Sequence, residues 1–600
     1  MIPAMKTEST LKKQLRMALE IVAPYGRRYA GRIVAGCAAL IVVDFIQLYI
    51  PRIVKRAVDD LQAGTATPAG LLRYAAVIVV LALAIALLRY FWRYFLFGFS
   101  RLLEMHLRSR VFAHALTLDR EFYHRNTTGE IMALATNDLA AVQMAGGMGL
   151  VALVDAVVMG IAAIAFMAYI EPRLTIIAIL PLPLLAVLTR FLSARLHHRF
   201  KIVQEQFSHL TEFARATIAA IRLVKAYNQE HAQTERFNTL GEAYIQSNLR
   251  VAVVHGTLYP LAGLISNLSL LLAITFGGRM TVMQSITTGD FVAFISYLFL
   301  LTWPMMALGW VANLFQRGLT SLERIQSLLT ETPHVRDSIN ATPAPLTGTH
   351  IRIRNLAFAY PQQQVPALRG IDLDIQPGLM GIVGRTGAGK TTLCHLLTRL
   401  YPVHDGTLWY DGYDANSLPV AQVRGAIAYV PQDTMVFSET IAFNIALGKP
   451  DASPDEIEQV ARAAAIHDEI LAMPDGYGTR IGERGIKLSG GQRQRLAIAR
   501  ALLLDRPIII IDDGLSAVDM ETEHAIIGSI ADYLRGRTCI IVSHRVAPLV
   551  DAHTIVVMDR GRLVALGTHA QLLERSDFYR TIHRQQTSPV TIGKLQLART

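Results

Sequence analysis

Gly384-Arg385-Thr386-Gly387-Ala388-Gly389-Lys390-Thr391 follows the apolar run Gly381-Ile382-Val383 and opens into Thr392-Leu393. A strand, a glycine-rich turn and a helix in that order form a phosphate cradle. The glycines let backbone N–H groups wrap phosphate oxygens at a helix N-terminus, where the helix dipole also favours an anion. Lys390 is placed to neutralise the β- and γ-phosphates, and Thr391 to hold Mg²⁺ through its hydroxyl. The stretch therefore predicts an α/β P-loop NTPase domain around it, with ATP and Mg²⁺ at residues 384–392.

Further along, Ile508-Ile509-Ile510-Ile511-Asp512 is an unbroken apolar run ending in a carboxylate. Such a run fits a strand buried on both faces of a parallel sheet. A carboxylate at its C-terminal end is where a second Mg²⁺ contact is expected in P-loop NTPases, so Asp512 joins Thr391 as a metal ligand.

Before this domain the composition is different. Hydrophobic residues make up 52% of the 600 residues and charged residues only 18%, against about 25% charged in soluble domains. This excludes a disordered or fibrous chain and argues against an ordinary soluble enzyme. The excess falls into six apolar stretches, near 31–54, 71–99, 144–169, 173–192, 251–278 and 289–312. Each is about long enough to cross a hydrocarbon core of ~30 Å as a helix. A charged tail of some thirty residues precedes the first, and no small-residue cleavage site follows it, so it reads as a membrane helix and not a signal peptide.

Charge orients the helices. Six Lys/Arg precede position 31, five more lie between Arg101 and Asn137, and nine between Arg190 and Arg250. The alternate loops hold Lys55, Arg56, Arg173 and Arg279. The positive-inside rule then places both termini and the nucleotide domain in the cytoplasm. The net charge of +11 is read as this bias. No basic-aromatic module points to nucleic acid. Cys37, Cys394 and Cys539 are too few for a disulfide framework or a zinc site. The expected organisation is a cytoplasmic segment 1–30, a six-helix membrane domain 31–328 and a Pro/Thr-rich linker 329–349. A nucleotide-binding domain 350–585 and a flexible tail 586–600 follow.

Between the two nucleotide motifs lies Leu488-Ser489-Gly490-Gly491-Gln492. It resembles the signature of ATP-binding-cassette (ABC) proteins, and further matches follow in the family's order. Tyr360 resembles the aromatic that stacks on adenine, Gln432 the Q-loop glutamine, Ser516-Ala517-Val518-Asp519 the D-loop and His544 the switch histidine. Thr479 to Gly485 is similar to the X-loop of exporters. The resemblance implies that Ser489, Gly490, Gly491 and Gln492 bind the γ-phosphate of ATP held by a second nucleotide domain. Two domains would then sandwich two ATP molecules head to tail. It also implies that Gln432 reaches the metal and that Gln432 and His544 serve hydrolysis.

The first half resembles exporter-type membrane domains. Phe122 to Glu130 with Ala135 to Asp138 looks like the first intracellular loop, Ile221 to Glu230 like the second, and Trp303 to Trp310 like the last helix of the multidrug group. The short coupling helices of those loops would transmit closure of the nucleotide domains.

One position departs from the family. The residue after the Walker B aspartate is usually a glutamate that orients or deprotonates the attacking water; here it is Asp513. Aspartate is one methylene shorter, and a misplacement on the order of 1 Å can lower a rate about 10²-fold. Asp513 with an intact LSGGQ resembles the degenerate-site subunit of heterodimeric bacterial multidrug exporters. That implies a different partner chain carrying the catalytic glutamate, membrane lipid around the helices and an amphiphilic cargo, in the cytoplasmic membrane.

The alternatives are a homodimeric exporter, a lipid flippase, an ATP-gated regulator and a siderophore importer. The short N-terminal segment leaves no room for a siderophore-interaction domain or a fused peptidase. Asp44, Gln47, Arg89, Arg93, Asp155, Asn313 and Gln316, polar groups inside apolar runs, are cargo or gating candidates.

Overall fold

Backbone shielded from water must satisfy its own N–H and C=O groups, and the uncharged runs before residue 331 do so as long helices. A computed structural model describes residues 3–587, except 348–349, 362, 364, 483–487 and 534–535. The chain forms two units: Met1–Leu116 with Thr128–Glu331, and Thr117–Thr127 with Thr332–Thr600.

In the first unit, five described helical segments are long and apolar enough to cross a membrane. They are Ala30–Gln62, Pro68–Ala115, Thr128–Ile170, Gly263–Val282 and Thr288–Thr330. Their ends are chemically marked. Thr67 caps the second, accepting from the Gly70 N–H at 3.1 Å, with Pro68 as its first residue. Thr287 and Asp290 form a capping box for the fifth. Lys55 pairs with Asp290, and Asp59 accepts from the Gly289 N–H at 2.8 Å. These bonds fix the first and fifth segments side by side.

The remaining expected stretch, 173–192, is not one helix. It divides into Pro172–Ile179 and Leu182–Ala219 around Leu180-Pro181. Pro181 and Pro183 carry no N–H, so the i→i−4 ladder loses two donors within one turn.

Leu48, Met159, Met167, Phe294 and Leu301 are buried together where these helices pack. The Tyr297 hydroxyl donates to the Leu48 carbonyl at 2.9 Å. Val80, Leu83 and Leu87 instead stay more than half exposed, an apolar face suited to lipid.

The second unit is built on two sheets. The strands are β1 Ile351–Phe358, β2 Leu368–Ile375, β3 Gly378–Gly384, β4 Leu408–Tyr410, β5 Tyr413–Asp414, β6 Ile427–Val430, β7 Ile508–Asp512, β8 Thr538–Ser543, β9 Thr554–Asp559 and β10 Arg562–Gly567. The smaller sheet has order β2-β1-β4-β5 and the larger β10-β9-β3-β8-β7-β6. From β9 to β6 the larger sheet is parallel. Its strands are apolar on both faces, every residue of β7 and β8 being buried, as a helix-covered parallel sheet requires.

Candidate nucleotide-binding site

Adjacent parallel strands deliver their following loops to one edge of a sheet, and in open α/β sheets that carboxyl edge is where ligands bind. Here β3, β8, β7 and β6 are consecutive neighbours. They lead into the 384–391 loop, His544, Asp512-Asp513 and Gln432 in turn. Residues scattered over 161 positions of sequence are thus gathered by strand order alone.

The loop itself is shaped by glycine. Gly389 has φ +97°, and a Cβ there would stand 2.7 Å from the Ala367 carbonyl. Arg385, Thr386 and Gly387 form the exposed rim, while Ala388 and Lys390 are buried. Lys390 Nζ donates to the carbonyls of Gly384 at 2.8 Å and Arg385 at 3.1 Å, and lies 3.2 Å from His544 Nδ1. Burial lowers the Lys390 pKa, and the charges of Asp513 and Asp512 oppose that shift. Thr391 Oγ1 donates to Asp512 Oδ1 at 3.2 Å, and the Tyr429 hydroxyl to Asp512 Oδ2 at 3.4 Å. Asp512 is fully buried, and burial raises its pKa against those two hydrogen bonds. A hydroxyl and a carboxylate side by side form an oxygen-only donor pair, which suits Mg²⁺.

Asp513 has φ +51°, a left-handed conformation, and its N–H donates to the Val542 carbonyl at 2.9 Å. Its own carbonyl accepts from Ser516 Oγ at 2.9 Å. Tyr360 is joined to the helix Lys390–Leu397 through Thr392, hydroxyl to hydroxyl at 2.9 Å. Its ring meets Phe358 and Tyr401 edge to face. Gln432 is exposed just beyond β6.

Ser489, Gly490, Gly491 and Gln492 open a separate helix, and among the described residues no hydrogen bond joins them to Lys390, Thr391, Asp512 or Asp513. Ser489 caps the helix Gly490–Leu503 in a reciprocal box: its N–H donates to Gln492 Oε1 at 2.8 Å and its Oγ accepts from the Gln492 N–H at 3.1 Å. A Cβ on Gly491 would come 2.8 Å from the Ala517 carbonyl. From the similar exporter loop at Thr479 to Gly485, residues 483–485 lie outside the described residues.

Four residues at this site were not singled out from the sequence. Gln494 Nε2 donates to Ser516 Oγ at 3.0 Å, and its Oε1 accepts from the Ala517 N–H at 2.9 Å, joining the signature helix to the loop after Asp513. Gln586 Nε2 donates to the His544 carbonyl and its Oε1 accepts from the Val546 N–H, both at 2.7 Å. His395, on the helix that follows the phosphate loop, lies 3.0 Å from Arg120 Nη1. Tyr429 is the fourth. Only Gln494 carried a sequence signal: it stands two residues past the LSGGQ motif on the buried side of an amphipathic turn.

Comparison with known proteins agrees with this geometry. Residues 33–305 match the ABC transporter transmembrane region and residues 368–516 the ABC transporter nucleotide domain. The multidrug resistance-like ATP-binding protein MdlA of Escherichia coli is 39% identical over 564 residues, covering 94% of this chain and 95% of that protein. A probable multidrug resistance ABC transporter ATP-binding/permease protein, YheI of Bacillus subtilis, is 36% identical, covering 91% and 94%. Among solved structures, a bacterial Atm1-family ABC exporter with ATP bound superposes with a TM-score of 0.80 at 28% identity, covering 93% of this chain and 99% of that one.

Proposed function

The chain belongs to the ABC transporter family, exporter type, and from that premise we propose that it is one half of a heterodimeric exporter of hydrophobic or amphiphilic compounds. The membership makes it a membrane protein and an ATPase coupled to transport. The finer reading concerns how the work is divided between two unequal ATP sites.

Lys390 and the backbone N–H groups of residues 384–392 hold the phosphates of the substrate ATP, and Tyr360 takes the adenine. Thr391, Asp512 and Gln432 would hold Mg²⁺, which supplies charge neutralisation on the phosphates when bound. Two of the three N–H donors of Lys390 go to carbonyls, and a phosphate takes the third, which now lies toward His544 Nδ1. His544, 3.2 Å from the same ammonium, takes the γ-phosphate contact in this reading.

The observation that carries the heterodimer reading is Asp513. Its backbone is pinned to Val542 at 2.9 Å, so the main chain is not free to advance and make up for the missing methylene. This chain's own site then binds ATP and hydrolyses it slowly. Ser489 to Gln492 complete the faster site of the partner. Both termini and the nucleotide domain lie in the cytoplasm.

Mg-ATP turnover by this chain purified alone in lipid tests the reading. The expected result is ATP binding with negligible turnover, and a rise of about 10²-fold in Asp513→Glu. Robust turnover by the unmodified chain, abolished in Asp513→Asn, would establish a working homodimer in its place.

A further inference from the structure

Where the helix Ala30–Gln62 turns into the helix Pro68–Ala115, the two enclose a cavity of about 520 Å³. Arg56 lines it from the first helix, Arg73 and Tyr74 from the second, and Thr65 from the turn between them. Its walls are held in place. The Asp60 carbonyl accepts from the N–H groups of Thr65 and Ala66, both at 3.1 Å, and Asp60 Oδ2 accepts from the Tyr74 hydroxyl at 2.9 Å.

Charge at this end of the helices is unevenly matched. Asp290 pairs with Lys55. Asp59 accepts from the Gly289 N–H through Oδ1 and from the Thr287 hydroxyl through Oδ2. Among the described residues lining the cavity, Asp60 is the one carboxylate, and Tyr74 already takes one of its oxygens. Arg56 and Arg73 are exposed, and among the described residues neither guanidinium has an ion pair or a hydrogen bond. Two guanidiniums against one carboxylate leave one positive charge in the cavity wall.

An apolar stripe begins at the same place. Arg73, Val77, Val80 and Leu87 follow at intervals of four, three and seven residues, which puts them on one face of the helix. All four are exposed, and Val77 also lines the cavity. From Arg73 to Leu87 the stripe runs about 21 Å, more than the ~15 Å half-thickness of a hydrocarbon core. A cationic cavity continuous with an apolar stripe has the division of a phospholipid, phosphate at one end and acyl chain at the other. One phosphodiester matches the residual charge, and guanidinium is the side-chain cation whose geometry fits phosphate oxygens in pairs.

We propose that this cavity binds one anionic phospholipid, its phosphodiester held by Arg56 and Arg73 and an acyl chain laid along Val77, Val80 and Leu87. The lipid is a resident of the fold and not a cargo. It ties the first two long apolar helices together across their turn. The assignment goes beyond the export reading and does not depend on which compound is exported or which chain is the partner.

Affinity for the first lipid bound, read by native mass spectrometry on the full chain stripped of lipid in detergent and together with its partner where one is required, tests the site. Dioleoyl phosphatidylglycerol is the probe. Dioleoyl phosphatidylcholine, with the same chains and no net charge, is the control. A basic residue beside an anionic lipid headgroup is worth about fivefold in affinity, so the unmodified protein is expected to favour phosphatidylglycerol by at least about that factor. Arg56→Gln and Arg73→Gln are each expected to lower phosphatidylglycerol affinity about fivefold and to leave phosphatidylcholine within about twofold. Arg173→Gln, at the same end by charge distribution but outside the cavity lining, is expected to change neither. Equal affinity of the unmodified protein for the two lipids would overturn the proposal, and this comparison decides even where a variant fails to fold. An equal loss in Arg173→Gln would also overturn it, by reducing the effect to general charge. So would glycerol phosphate binding as tightly as phosphatidylglycerol, which would make the cavity a site for free phosphate.

Discussion

Arg120 Nη1 lies 3.0 Å from His395 Nε2, joining two residues 275 positions apart in sequence. Arg120 opens the short helix Arg120–Arg125, and Asp119 caps that helix by accepting from the Phe122 N–H at 3.2 Å. His395 stands five residues after Lys390 on the helix that begins at the phosphate loop. One guanidinium on one imidazole thus ties the loop of residues 117–127 to the helix that begins at the phosphate loop.

That imidazole has a pH consequence. His395 is 5% exposed, and its pKa is pushed down to about 4 from an ordinary 6.5, first by burial, then by Arg120 and His124. The unfolded chain takes up a proton at this residue below pH 6.5 and the folded one does not until near pH 4. Stability should therefore fall as pH drops through that window. His395→Gln should flatten the fall. Thermal unfolding between pH 7 and 5 checks it, and identical slopes in the two proteins would discount the residue.

Arg120→Ala leaves Lys390, Thr391 and Asp512 untouched. With Asp513→Glu as the common background, ATP affinity should stay within about threefold, while cargo-stimulated turnover falls fivefold or more, the lower range of a typical coupling energy. Undiminished stimulation would mean the contact transmits nothing.

Gln586→Ala removes both 2.7 Å bonds that hold the backbone on either side of Arg545. Two neutral hydrogen bonds are worth about 1 kcal/mol each. With a catalytic glutamate at position 513 as the common background, turnover should drop several-fold with ATP affinity preserved. A change confined to affinity would place the effect in the phosphate loop instead.

Neighbouring glycines of the signature should behave differently. Gly491→Ala drives a Cβ to 2.8 Å from the Ala517 carbonyl, whereas Gly490→Ala meets only the Ala517 Cβ at 3.6 Å, an ordinary contact. Overpacking of the first kind destabilises by about 1–3 kcal/mol. Gly491→Ala should lower the melting temperature by several degrees and Gly490→Ala should not. Equal melting temperatures would show that the two loops can separate freely.

Much of the nucleotide unit was legible because its signals are local. The apolar runs ending at Val383, Val430, Asp512 and Val542 are strands in a sheet whose order places four motifs at one edge. The break at Leu180-Pro181 was also written in the sequence, but apolar content alone conceals it, since proline is scarcely polar yet lacks the donor a helix needs. Contacts between distant segments left no such trace. Asp155 was conspicuous as an acid in an apolar helix, yet nothing in either segment told that the Trp303 indole, 148 positions away, donates to it. Arg120 read as one of several basic residues near a membrane end, and Gln586 as the first residue of a tail. It proves to be the last but one of the helix Asp577–Thr587.

Residues 117–127 belong with the nucleotide unit although more than two hundred residues of the membrane unit separate them from its remainder. On a ribosome they emerge first. Arg120 has no His395 to meet until synthesis has passed the phosphate loop. Assembly of the second unit must then close a loop of that length, and no cut after Glu331 releases the unit intact. A fragment starting at residue 332 would lack the segment that covers His395, so its solubility and stability would misrepresent the domain as it works in the whole chain.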